Sequence, residues 1–77
     1  MKNSWEFMIE NMPHKSDKQI ITGSDVRAYP PGIPETMDLF LKVRGEPGRP
    51  IQNDTKVDLD EPGIEKFYAQ DASSEAG

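Results

Sequence analysis

The sequence contains no cysteine and a single histidine, His14. Without thiols there is no disulfide, no thiolate-ligated metal and no cysteine nucleophile, and one imidazole cannot build a multi-histidine metal site. Long apolar runs are also missing. The longest stretches of bulky apolar residues are the triplets Phe7-Met8-Ile9 and Leu39-Phe40-Leu41. Neither a membrane-spanning helix nor the apolar stretch of a secretory signal fits such a pattern, so the expected address is the cytoplasm, with no membrane partner. Basic residues are outnumbered: nine Lys and Arg stand against fourteen Asp and Glu, for a net charge of −5 and a pI near 4.7. That balance argues against nucleic acid, whose binding needs a basic surface to release counterions. Bulky aliphatic side chains are scarce, with six Ile, three Leu and three Val in 77 residues. Such a composition approaches that of disordered chains. The charge is modest, however, and Trp5, two Tyr, three Phe and four Met add bulk. One small folded domain with a thin core is the expectation.

What is present is a set of short periodic segments. Residues 1–4 are polar and expected to be disordered. From Trp5 to Glu10 apolar residues alternate, with Trp5, Phe7 and Ile9 on one side, which is the pattern of a half-buried strand. Residues 11–17, with Pro13 and His14, read as a turn, and residues 18–21 as a second short strand closing an antiparallel hairpin. Thr22 or Ser24 can cap a following helix and Asp25 suits its positive end. Pro30-Pro31-Gly32 limits that helix to roughly two turns, with Val26 and Tyr29 on its inward face. Residues 37–43 form the strongest strand, placing Leu39, Leu41 and Val43 on one face and Asp38, Phe40 and Lys42 on the other. A turn at 44–49 leads to a short strand at 50–52, put at a sheet edge by Pro50. Residues 53–60 are polar, a loop or a single helical turn anchored by Val57 and Leu59. A last strand spans 64–69. Two hairpins sharing one short helix can bury their apolar faces only by wrapping a sheet across it, an α+β arrangement. The expected core is Trp5, Phe7, Ile9, Ile21, Val26, Leu39, Leu41, Val43, Leu59 and Phe67.

Catalytic chemistry finds little purchase. An enzyme needs a nucleophile, an acid–base pair or a metal cluster in mutual reach. His14 has no patterned serine or carboxylate around it and reads as a solvated turn histidine. Asp54, Asp58, Asp60, Glu61 and Glu65 lack the spacing of a calcium loop and read as a solvated face. The glycine-bearing turn at 44–49 lacks the lysine and long helix of a phosphate-binding loop. The expectation is a non-enzyme without cofactor or metal.

Residues 70–77 differ from the rest, because no bulky apolar side chain follows Ala69. They are expected to form a flexible tail reaching about 26–29 Å when extended. Its last residue, Gly77, would present a carboxylate with no side chain around it, suited to a narrow adenylation site.

With these elements in this order, the chain resembles a ubiquitin-like β-grasp protein, and more closely the prokaryotic multiubiquitin-type domain. The residues carrying the resemblance are Phe7-Met8-Ile9-Glu10, the run from Ile21 through Thr22-Gly23-Ser24-Asp25 to Val26, and Asp38 through Leu39-Phe40-Leu41-Lys42 to Val43. The run from Ile51 through Gln52-Asn53-Asp54-Thr55-Lys56-Val57-Asp58 to Leu59 and the close Gly63-Ile64-Glu65-Lys66-Phe67 complete it, so that it covers about residues 5–69. The resemblance implies a single β-grasp domain, a mixed sheet wrapped on one short helix, followed by a conjugation tail at 70–77. It further implies that Gly77, preceded by Ala76, is adenylated by an activating enzyme, passed to a conjugating enzyme and joined to target proteins through an isopeptide bond. A metal-dependent deconjugating protease is the expected fourth partner, in a bacterial pathway that in some cases acts against phage. Ubiquitin ends in Gly-Gly and has a basic tail, whereas here Ala76 precedes the last glycine and the tail is acidic. Dedicated partner enzymes are therefore expected. Two other readings share the fold: a sulfur carrier with a terminal thiocarboxylate, and a non-covalent interaction module.

Strand alternation adds a docking surface to that picture. If Phe7, Ile9, Leu39, Leu41 and Phe67 point inward, then Met8, Phe40, Lys42, Lys66 and Tyr68 point outward. A β-grasp sheet sets the last strand between the first and the one at 37–43. Met8, Tyr68 and Phe40 are thus expected to form one exposed partner-binding patch, rimmed by Lys42, Lys66, Glu6 and Glu10. Phe40 stands where ubiquitin-like proteins carry an exposed aliphatic residue. The free chain is expected to be a monomer.

Overall fold

The computed structural model describes residues 3–72. The first strand, β1, spans Trp5–Ile9, and β2 spans Met12–Ser16. They form an antiparallel hairpin in which Ile9 faces Met12 across a two-residue turn, with Glu10 in the left-handed region at φ 54°. The segment expected as a turn, 11–17, is therefore mostly a strand. Its polar composition and Pro13 suit it to the sheet edge it occupies, where a missing N–H breaks no interior ladder. The segment expected as the second hairpin strand is displaced to β3, Ile20–Thr22. It pairs instead with β6, Lys56–Asp58, in a separate two-stranded sheet, and the expected loop at 53–60 contains that strand. The facing pair Ile21 and Val57, both buried, accounts for the change: each has an apolar side chain to hide, and pairing hides both.

Between them runs the helix α1, Gly23–Ala28. Thr22 caps it reciprocally: its Oγ1 accepts from the Asp25 N–H at 3.2 Å, and the Asp25 carboxylate accepts from the Thr22 N–H at 2.9 Å. Arg27 fastens the segment after the helix, donating to the carbonyls of Pro34 (2.6 Å) and Met37 (2.9 Å) and to Asn53 Oδ1 (3.0 Å).

The remaining strands are β4, Met37–Val43; β5, Arg49–Ile51; and β7, Ile64–Asp71. The main sheet has the order β2-β1-β7-β4-β5. β7 runs parallel to β1 and antiparallel to β4, so the last strand lies centrally, between the first strand and β4. Pro50 lies on an edge strand, as expected. Val26 of α1 packs with Phe7, Ile9, Leu39, Leu41, Val43 and Phe67 in one core, so the sheet wraps the helix on a single face. This is an α+β β-grasp.

Eight of the ten expected core residues are buried. Trp5 and Leu59 are only half-buried, while Ile51 and Val57 join the core in their stead. Trp5 lies at the open end of the β1–β2 hairpin, where its indole N–H donates to Asp60 Oδ1 at 3.1 Å and so stays at the surface. Leu59 lies just past β6 and packs on the core from outside. The boundary of the tail also shifts. β7 continues two residues beyond 69, with Gln70 opposite Asp38 and Asp71 opposite Met37. Backbone ladder pairing, which needs no apolar side chain, sets that limit.

Candidate functional site

The period of two in β4 buries Leu39, Leu41 and Val43 and leaves Asp38, Phe40 and Lys42 on the opposite face. In β7 the same alternation buries Phe67 and leaves Lys66, Tyr68 and Gln70 with them. Register then fixes three rows across the two strands: Lys42 opposite Lys66, Phe40 opposite Tyr68, and Asp38 opposite Gln70. The middle row is an aromatic stack, with ring centroids 5.2 Å apart and planes at 16°. Both rings are half-buried by one another and by the β4–β5 turn. Gly48 of that turn lies so close to the Tyr68 hydroxyl that a Cβ there would collide with it, and the same Cβ would meet Phe40 Cδ2 at 3.7 Å.

The segment at 29–34 does not cover this surface. Tyr29 belongs to the other side of the sheet, with its ring edge-on to Phe7 at 5.2 Å and its hydroxyl donating to the Lys15 carbonyl. The Ile9–Phe67 register places Met8 beside Lys66 rather than beside Tyr68. Met8 faces Pro13 on β2 and lines a different depression with Glu6 and Glu65. The structure thus brings Phe40, Tyr68, Lys42 and Lys66 together and sets Met8 at the flank of the lysine row.

Lys42 Nζ donates to the Glu46 carbonyl at 2.8 Å, which bends its ammonium toward the β4–β5 turn. On the opposite side of the stack a cleft of about 490 Å³ opens, lined by Phe40, Pro50, Asp38, Glu35 and Asp54. The aromatic pair therefore lies between the lysine row, flanked by Glu10 and Glu65, and a cleft whose lining carries three carboxylates and Arg27. Gly48 and Pro50 belong to this surface although neither stands out as a site residue. Their only signal in the sequence is a small residue in a hairpin turn and an edge proline facing an aromatic.

His14 departs from the solvated turn expected for it. It lies in β2 with its ring 5.8 Å from Phe7 and 5.3 Å from Tyr29, and its Nε2 is buried without a hydrogen-bond partner. No serine–carboxylate pair accompanies it among the described residues. The acidic residues at 54–65 are spread over several roles. Asp58 accepts from Gln19 Nε2 and the Asp60 N–H, both at 2.9 Å, and these hydrogen bonds hold its carboxyl below the usual range. Glu61 takes Arg49 in a two-point pair at 3.2 and 3.1 Å, with Glu46 a second partner at 3.0 Å, and these bonds raise the guanidinium above its ordinary value. Among the described residues no three His, Cys, Asp or Glu side chains come together to hold a metal ion, and no helix is long and apolar enough to cross a membrane. Ala76 and Gly77, the expected conjugation residues, lie outside the described residues.

Comparison with curated proteins and with solved structures finds no match. The family model for multiubiquitin matches residues 5–71, from the first residue of β1 to the last of β7. With every element of the β-grasp inside that match, the chain belongs to the multiubiquitin family of ubiquitin-like proteins.

Proposed function

We propose that the protein is a ubiquitin-like modifier, a substrate of enzymes and not itself a catalyst, with Gly77 as its reacting residue. The observation that carries this reading is the family match over residues 5–71. It ends with β7, leaving Gly77 six residues further on, within about 20–22 Å of the sheet if the chain is extended. In the reaction the Gly77 carboxylate, at the chain end or freed by cleavage, attacks the α-phosphorus of ATP and releases pyrophosphate. A thiolate of an activating enzyme then displaces AMP to give a thioester. After transfer to a conjugating enzyme, an amine of the target displaces the thiol, forming an isopeptide bond. A metal-dependent protease would hydrolyse that bond and return the free carboxylate. Phe40 and Tyr68, flanked by Lys42 and Lys66 and by Met8, form the surface by which these enzymes hold the domain. The setting is a bacterial ubiquitination-like pathway in the cytoplasm, with antiphage defence as its physiological role.

The test is intact-mass spectrometry of the 77-residue chain after incubation with ATP and a cognate activating enzyme. Adenylation and thioester formation at Gly77, both absent when Gly77 is deleted, support the reading. Replacement of a terminal oxygen by sulfur would instead identify a sulfur carrier, and an unchanged mass would identify a non-covalent module. Because no bulky apolar side chain follows Ala69, the deletion removes no core packing and should leave the melting temperature unchanged.

A further inference from the structure

The three rows on the outward face of the sheet have a symmetry that no single chain uses. Lys42 and Lys66 face each other at one end, Phe40 and Tyr68 stack in the middle, and Asp38 and Gln70 pair at the other end. Like charges directly opposite on neighbouring strands oppose sheet pairing. Neither the lysine row nor the aromatic row beside it carries a carboxylate from β4 or β7 itself, while Glu10, whose carboxylate accepts from the Ala69 N–H, and Glu65 line a depression at the side with Lys42, Lys66 and Tyr68. Asp38 lies four residues along β4 from Lys42, with Glu35, Asp54 and Arg27 around the cleft beside it.

We infer that this face is self-complementary, and that its occupant is a second copy of the same chain. A two-fold axis in the plane of the interface, running across the strands through the Phe40–Tyr68 row, reverses strand direction while turning the faces together. It sets aromatic row on aromatic row. It carries Lys42 of one copy onto Asp38 of the other and Lys66 onto Gln70, each pair occurring twice as an isologous interface requires. Sheets packed this way lie about 10 Å apart, a distance that interdigitated Phe, Tyr and Lys side chains fill.

The edges of the five-stranded sheet are poor routes for strand addition. β2 carries Pro13 as its second residue and β5 carries Pro50 at its middle, so each edge lacks a donor at one position. The Lys15 carbonyl on β2 accepts from Tyr29, and the Gln52 N–H just past β5 is taken by Thr55 Oγ1 at 2.9 Å. Strand addition is interrupted at both edges of this sheet, which favours its outward face as the surface for a copy to meet.

The association is weak. Each copy carries a net charge of −5, so association works against an overall repulsion. At physiological ionic strength the Debye length is about 8 Å, which screens the overall repulsion more than the contacts at the rows. The chain stays monomeric at low concentration and dimerises between roughly 0.1 and 1 mM, or wherever copies are brought together on one target. The same residues that would meet an enzyme are then covered, so self-association and enzyme docking exclude one another.

The test uses the chain alone, without enzymes or ATP, so its outcome is independent of the conjugation reading. Sedimentation equilibrium up to about 1 mM, at physiological salt, is run on the wild type, on Asp38→Lys, on Lys42→Asp, and on an equimolar mixture of the two variants. The wild type should shift toward twice the monomer mass. Each variant alone should remain monomeric, since its cross-axis pairs become two lysines or two aspartates. The mixture should associate again. In a mixed pair the lysine introduced at position 38 of one chain meets the aspartate introduced at position 42 of the other, and the native Lys42 and Asp38 still meet. Amide shifts of the wild type on dilution should map to outward residues of β4 and β7, a readout that does not depend on how the variants fold. A wild type that stays monomeric throughout, or dilution shifts confined to other elements, overturns the inference.

Discussion

Phe67 meets Phe7 edge to face, with centroids 5.8 Å apart and planes at 86°, across the two parallel strands at the centre of the sheet. Phe67 is fully buried and touches the helix side of the core as well as β4. Phe67→Ala should cost about 3–5 kcal/mol. A domain of this length has about 4–12 kcal/mol in total, so the variant should be close to unfolding. Urea denaturation checks this, and an unchanged midpoint would contradict the packing.

Phe40 sits one strand from Phe67 with the opposite facing, and truncating it should behave differently. Phe40→Ala removes the stack with Tyr68 and should cost only about 1 kcal/mol of stability. Gly48→Ala should reach the same surface indirectly, since its Cβ would displace the Tyr68 hydroxyl. Both variants should weaken capture by the activating or conjugating enzyme roughly tenfold, as loss of about 1.4 kcal/mol does, in a titration by calorimetry.

Gly23 opens α1 directly beneath the Gln52 carbonyl oxygen, and a Cβ there would overlap it. The Gly23 and Ser24 N–H groups donate to the carbonyls of Thr55 and Asn53, so this approach docks the helix start onto the 52–55 turn. Gly23→Ala should destabilise by about 1–3 kcal/mol through forced separation, despite the better helix propensity of alanine. Thermal unfolding of the two chains gives the comparison.

Asp25 and Asp58 set the acid limb of stability. The Thr22 backbone N–H is the main cause holding the Asp25 carboxyl below its ordinary value, and Gln19 is the main cause for Asp58. A carboxyl depressed on folding contributes stability that is present above its unfolded pKa, about 3.9, and is lost as pH falls through the lower folded value. The wild type should therefore lose stability below about pH 4. Asp25→Asn should flatten that limb, and Thr22→Ala should cost about 1 kcal/mol at neutral pH by removing the cap. Melting curves from about pH 2 to pH 7 measure both.

Much of the fold is legible in the chain because its signals are local. Alternation in 37–43 and 64–69 fixes which side chains face the core, a capping residue and a double proline bound the helix, and Pro50 marks an edge. The first hairpin has no local signal of that strength. Residues 12–16 are polar because an edge strand needs little apolar surface, so their composition is that of a turn. Ile20 and Ile21 look like the partner of β1 until Val57, 36 residues beyond Ile21, is available to pair with it.

Composition and a period of two are enough to exclude thiol chemistry from these 77 residues, to set the facing of Phe40 and Tyr68, and to show the glycine beyond the last strand, because none of these depends on distant neighbours. Which outward residues meet is a different matter, and the folded chain alone settles it. Register between β4 and β7 puts Phe40 on Tyr68 and Lys42 against Lys66, while parallel pairing of β1 sets Met8 beside the lysines. A shift of about two residues in either register would keep every side chain on its own face and still break up the rows. Register is set by core packing across the sheet and by the turns that join the strands, and these are properties of the folded chain as a whole.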